Sequence, residues 1–177
     1  MFINWKTREL NLKIVYYGPP LSGKTTNLEY IHSRLDPRVR GELVSLKTRE
    51  DRTVYFDFMQ LELGEIKGLK PKFNLYTVPG QVIYVASRRL VLRGADGVVY
   101  VADSQADMLQ ANIETMRNME DNLRELGYNP KEVPLVLQFN KRDLPSAMPS
   151  AMLYSYLGRN GSPHFEAVAI REEGIID

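Results

Sequence analysis

The stretch Gly18-Pro19-Pro20-Leu21-Ser22-Gly23-Lys24-Thr25 constrains this chain more than any other. It satisfies G-x-x-x-x-G-K-[ST] at every fixed position. Residues 10–17 ahead of it read as a strand. Residues 26–35 behind it read as a helix with Leu28, Ile31 and Leu35 on one face. Strand, glycine loop and helix together form an anion cradle. Backbone N–H groups converge on phosphate oxygens, and the helix N-terminus adds partial positive charge. In that setting Lys24 neutralises β- and γ-phosphates and the Thr25 hydroxyl ligates magnesium. The bland alternative, a glycine turn with a surface lysine, does not require these flanks.

The remaining pattern alternates strands and helices. Residues 37–52 are polar and uncommitted, long enough to serve as a lid over a nucleotide. Residues 54–61 form an apolar run broken by Asp57 and Gln60, and residues 72–78 are a second strand. A turn between Gly64 and Gly68 makes the two a hairpin. Residues 87–93 are a short basic segment whose arginines read as a solvated face. Residues 97–102 and 133–139 read as buried strands. Between them a long amphipathic helix runs through Leu109, Ile113, Met116, Leu123 and Leu126 and stops at Gly127. Residues 149–157 suit a short helix and residues 164–169 a last strand. The expected fold is a single α/β domain over residues 1–177, with a mainly parallel six-stranded sheet flanked by helices. Trp5 is read as a packing residue.

Composition excludes more than it assigns. The 177 residues contain no cysteine, which removes disulfides, thiolate chemistry and thioether or thioester lipid anchors. Phe2 rules out N-myristoylation. No apolar run is long enough to span a membrane. The net charge of +1 argues against a general binder of nucleic acid or membrane surfaces. A cytoplasmic location is expected.

A second cluster narrows the ligand. Asn140-Lys141-Arg142-Asp143 directly follows a buried strand, at the sheet edge that holds the glycine loop. A carboxylate at Asp143 accepts two hydrogen bonds from the N1–H and exocyclic amine of guanine. Adenine has no N1 donor and leaves the carboxylate desolvated, a difference of about 10⁴ in such sites. The Lys141 stem covers the base, and Asn140 bridges base and loop.

With both clusters in place, the chain resembles the small Ras-like GTPases along almost its whole length. The shared elements are Gly18 to Thr25, Thr53, Thr77-Val78-Pro79-Gly80-Gln81, Asn140 to Asp143 and Val168-Ala169. More closely, Val15-Tyr16-Tyr17-Gly18, Arg52-Thr53, the Thr77-to-Gln81 stretch and Val101-Ala102-Asp103-Ser104 look like the MglA group of bacterial cell-polarity GTPases. The resemblance implies a P-loop G domain that binds GTP and GDP with Mg2+. Nucleotide contacts would come from Gly18, Pro19, Leu21, Ser22, Gly23, Lys24, Thr25, Thr26, Thr53, Gly80, Asn140, Lys141, Asp143, Val168 and Ala169. Metal contacts would come from Thr25 and Thr53, with Thr48 the competing switch threonine. Gln81 would orient the attacking water and Arg52 would act as an in-chain arginine finger. The implied partner is a Roadblock-type, MglB-like activating protein, and the implied role is a switch in polarity or motility.

Two departures bear on that expectation. Thr77 replaces the usual metal-side aspartate, a change the MglA group shares, and predicts weaker magnesium retention. Too little follows Val168-Ala169 for the closing helix of Ras-like domains: either that helix was removed or another element covers the face, and an uncovered face would expose an apolar patch. A GTP-binding scaffold that does not hydrolyse, and a P-loop ATPase or phosphotransferase using Asp103 as metal-side acid, are the alternatives.

Overall fold

The computed structural model describes residues 1–47, 53–79, 85–159 and 161–176. Its strands are β1 (Phe2–Asn4), β2 (Glu9–Tyr17), β3 (Val44–Lys47), β4 (Thr53–Glu62), β5 (Lys70–Thr77), β6 (Gly97–Asp103), β7 (Leu135–Asn140) and β8 (His164–Glu166). Its helices are α1 (Lys24–Arg34), α2 (Val85–Leu92), α3 (Leu109–Glu125) and α4 (Ser150–Leu157). The strands form one sheet in the order β3-β4-β5-β2-β6-β7-β8, with β1 added to β2. From β5 through β8 every pairing is parallel. The β3–β4, β4–β5 and β1–β2 pairings are antiparallel.

Alternation along β2 builds two cores, because successive side chains of a strand point to opposite faces. Val15 and Tyr17 face a large core closed by Val91 and Leu92 of α2, Met116, Met119 and Leu123 of α3, and Leu153 and Leu157 of α4. Tyr16 faces the other way, onto Leu28 and Ile31 of α1. The expected fold class therefore stands, and α1 uses two of the three apolar positions read from its sequence. Leu35 is only partly buried, in the extended residue that ends the helix. Asp36 and Pro37 follow, and the residue before a proline is pushed away from helical geometry. At the end of α3, Gly127 adopts φ 84° and Tyr128 N–H donates to Leu123 O at 2.9 Å.

Six strands were expected, and the described residues hold eight. β1 is three residues long and is fixed by its register, Ile3 opposite Leu10. β3 falls inside the segment read as a lid. Gly41 N–H donates to Gln60 O at 2.8 Å and Glu62 N–H to Val39 O at 2.7 Å, so this segment runs beside β4 as an edge. The last strand is shorter than expected. After Glu166 the chain leaves the sheet, and Ala169–Arg171 form a 3-10 turn instead. That turn is the only helical element after β8 among the described residues. Ile175 packs beneath it on the α1 core, while Phe165 and Ile170 stay exposed. Trp5, expected to pack, stands exposed on the β1–β2 turn.

Candidate functional site

The glycine loop joins the carboxyl end of β2 to α1, where parallel sheets of this kind place ligands. Its shape depends on two glycines. At Gly18 (φ 149°) a Cβ would lie 2.1 Å from Val101 O. At Gly23 (φ 100°) it would lie 2.2 Å from Asn140 Nδ2. Pro19 is buried, Leu21 is exposed with φ 58°, and Thr26 is half-buried in the first turn of α1. The Ser22 hydroxyl is buried with no hydrogen-bond partner among the described residues.

Lys24 is buried, and its ammonium donates to Gly18 O at 3.0 Å and Pro19 O at 2.7 Å. Burial pushes its pKa down to about 7. The Arg88 guanidinium pushes the same way, Asp57 opposes, and Lys141 adds a smaller repulsion. A cation held only by carbonyl oxygens, beside an unsatisfied hydroxyl and a helix N-terminus, fits a polyphosphate.

The residues expected on the guanine side meet this loop directly. Asn140 Nδ2 donates to Ser22 O at 2.8 Å, and its Oδ1 accepts from Ala169 N–H at 2.9 Å. One amide thus ties β7, the glycine loop and the 3-10 turn together. Val168 and Ala169 are buried there. Asp143 follows in the turn after β7, with Arg171 3.5 Å from its Oδ2. Lys141 adopts φ 64° and ion-pairs with Asp103 Oδ2 at 2.5 Å. Asp103 is therefore spent on positioning Lys141, which is not the metal-side place that the ATPase alternative requires.

The side expected to hold metal contains a residue that the sequence motifs do not name. Asp57, fully buried in β4, lies across from Thr77. Its backbone N–H donates to Thr77 Oγ1 at 2.8 Å, and its Oδ2 accepts from Thr77 Oγ1 at 2.7 Å. The same oxygen accepts from Thr25 Oγ1 at 2.5 Å, and Oδ1 accepts from Ser45 of β3. The neighbouring strand thus brings a carboxylate to the place where residue 77 has a hydroxyl. Hydroxyl and carboxylate oxygens are hard donors. They suit magnesium, which takes one or two carboxylates and completes its shell with water and phosphate. The sequence did carry a signal. A carboxylate interrupting an apolar strand must be paired if it is buried.

Arg88 was also misread. It sits three and four residues before the buried Val91 and Leu92, on the inner face of α2, and is itself buried. Its Nε donates to Pro79 O at 2.9 Å and its Nη1 to Asn118 Oδ1 at 3.0 Å. The expected solvation of that segment's arginines holds for Arg93, holds in part for the half-buried Arg89 and fails for Arg88.

Thr53 opens β4 opposite Lys47, about 13 Å along the strand from Asp57 at the usual rise per residue. Arg52, Thr48, Gly80 and Gln81 lie outside the described residues.

No family model matches the chain. It is 52% identical over 176 residues to the mutual gliding-motility protein MglA of Myxococcus xanthus (strain DK1622), across 99% of this chain and 90% of that protein. Identity at that level over nearly the full length, on a parallel sheet with a phosphate loop latched to N-K-x-D, leaves one assignment. The chain belongs to the MglA family of small Ras-like GTPases, nucleotide switches that hydrolyse GTP.

Proposed function

We propose that this GTPase works with magnesium in the cytoplasm as a switch in gliding motility or cell polarity, and that a Roadblock-type, MglB-like protein accelerates it. The observation that carries the site assignment is the Asn140 amide, which holds the glycine loop and Ala169 in one unit. In this reading Asp143 pairs with the guanine edge and the Lys141 stem lies over the base. Ser22, Gly23, Lys24, Thr25 and Thr26 receive the phosphates. Thr25 supplies a hydroxyl oxygen to the metal and Asp57 the carboxylate on its protein side; Thr53, about 13 Å along β4 from Asp57, joins them only if the start of β4 shifts in the GTP-bound state. Magnesium, when bound, draws charge from the β- and γ-phosphates. Gln81 orients the water that adds to the γ-phosphorus. The bond to the β–γ bridging oxygen breaks, GDP leaves with that electron pair, and Arg52 offsets the developing charge. The kinship to MglA named above supports the motility role. No helix among the described residues is long and apolar enough to cross a membrane.

Displacement of a fluorescent GDP tests the assignment. Unlabelled GTP should compete stoichiometrically, and ATP should require on the order of 10⁴ times more. Competition by ATP at similar concentrations sinks the Asp143 reading.

Lys24 adds a pH signature. Phosphate oxygens around its ammonium return its pKa toward the ordinary lysine value. Below pH 7 the lysine is already charged, and binding takes up no proton on its account. Above the depressed value binding draws in a proton, so affinity falls as pH rises, by up to about tenfold per unit from about pH 7.5 to 9. Calorimetry of GDP binding in buffers of different ionisation enthalpy reads the uptake directly. Equal heats in all buffers at alkaline pH refute it.

A further inference from the structure

The sheet end remote from the nucleotide carries two neighbouring turns that the switch chemistry does not use. One joins β1 to β2 through Trp5-Lys6-Thr7-Arg8. Asn4 Oδ1 orders it by accepting from Lys6 N–H at 3.1 Å. The other joins β4 to β5, closed by the reciprocal Ile66–Leu69 backbone pair at 2.9 and 3.0 Å. Lys70 N–H donates to Arg8 O at 2.7 Å, so the two turns stand side by side.

Their exposed residues are of two kinds. Phe2 is 65% exposed, Trp5 74% and Ile66 56%. Among them stand Lys6, Arg8, Lys67 and Lys70, all exposed and none in a salt bridge among the described residues. The nearby acids Glu9 and Glu62 are taken by Lys72, at 2.8 and 3.0 Å, and Glu65, exposed in the β4–β5 turn, offsets one of the four cations. The chain's net charge of +1 therefore hides a local excess of cations at one pole.

We propose that this aromatic, cationic pole seats the protein on an anionic lipid bilayer. The patch is made of two adjoining turns. It offers a flat surface rings to bury at headgroup depth and charges to pair with phosphates. Tryptophan and phenylalanine favour the membrane interface, and clustered Lys and Arg are drawn to anionic headgroups. β2 runs from this pole to Gly18, so the nucleotide loop stands about 27 Å away, facing the aqueous side. Seating on lipid leaves the switch segments open to partners. The composition argument against membrane surfaces fails because it averages charge that the fold segregates.

Trp5 is the chain's one tryptophan and reports its own environment. The full-length, GDP-loaded protein is titrated with phosphatidylcholine vesicles and with vesicles containing about 40 mole per cent phosphatidylglycerol. The emission is expected to shift to the blue and to be quenched by shallow brominated lipids on the anionic vesicles, and the shift should fade at about 0.5 M salt. Lys6→Glu/Arg8→Glu should weaken partitioning at least tenfold, roughly as expected for reversing two surface charges. Phe2→Ser/Trp5→Ser should abolish co-sedimentation. Both variants should bind GDP and hydrolyse GTP in solution like the wild type, which separates lost docking from lost folding. An unmoved spectrum on anionic vesicles at low salt overturns the proposal and leaves the pole to an acidic protein surface. An equal, salt-independent shift on neutral vesicles overturns the anionic part.

Discussion

Asp57→Ala is expected to release GDP about 10- to 100-fold faster in the presence of magnesium and to remove most of the slowing that magnesium gives the wild type. The carboxylate is the common acceptor for hydroxyls from three elements, α1, β3 and β5. Without it Thr25 loses the partner that aims its hydroxyl, and the metal loses the negative charge closest to that hydroxyl. Burial sharpens the effect, because no bulk water stands ready to replace the oxygens. Asp57→Asn keeps the volume and one acceptor oxygen, so it should fold normally and still lose magnesium dependence. The decisive variant is Asp57→Ala/Thr77→Asp, which returns a carboxylate from the adjacent strand. Recovery of magnesium-dependent GDP retention identifies a metal-side charge that β4 or β5 can present equally well. If Asp57→Asn holds GDP and magnesium like the wild type, the carboxylate serves only to pack three hydroxyls.

The larger kinetic effect should come from Arg52 and Gln81. Arg52→Ala and Gln81→Leu should each reduce partner-stimulated GTP hydrolysis by roughly 10³, the lower end of what an arginine finger contributes to such reactions. GTP and GDP affinities should change little, because in the proposed roles these groups act on charge and geometry that arise only in the transition state. Single-turnover hydrolysis with magnesium, preceded by a binding check, measures both. Arg52→Lys is the informative control. A lysine supplies charge without the planar, two-pronged donor set, so it should restore only part of the rate. Wild-type rates for Arg52→Ala with the activating protein present would remove the finger from the chain and place it elsewhere.

The sequence made the nucleotide end of the molecule legible because that end is built from local motifs. A glycine needed for close approach, a lysine and a threonine at fixed spacing can be read without knowing the fold. The same holds for Asn140 and Asp143. Asp57 and Arg88 escaped because their meaning depends on what lies across a strand or beneath a helix. Asp57 becomes informative only when β4 lies antiparallel to β5 in a register that puts it beside Thr77. Arg88 looked like one more surface cation until α2 was seen to bury Val91 and Leu92 on its face. β1 and β3 escaped for another reason. Neither has an apolar period of its own, and each is held by backbone hydrogen bonds to a neighbour that the sequence does not name. Trp5 was misjudged by residue type. A large aromatic ring suits a core on average, but a three-residue strand ending in a tight turn has no core to offer it.

The Arg88 contact with Pro79 also bears on the entropy of switching. Pro79 and α2 flank residues 80–84, and one side chain of that helix holds the carbonyl at the other end. Lys47 and Thr53, which border residues 48–52, are likewise paired across the sheet. Most of the free-energy cost of bringing each pair of ends together has therefore been met in folding the domain. A γ-phosphate does not have to gather distant pieces of chain. The borders it acts between are already in place when it binds, and they stay in place when it is gone.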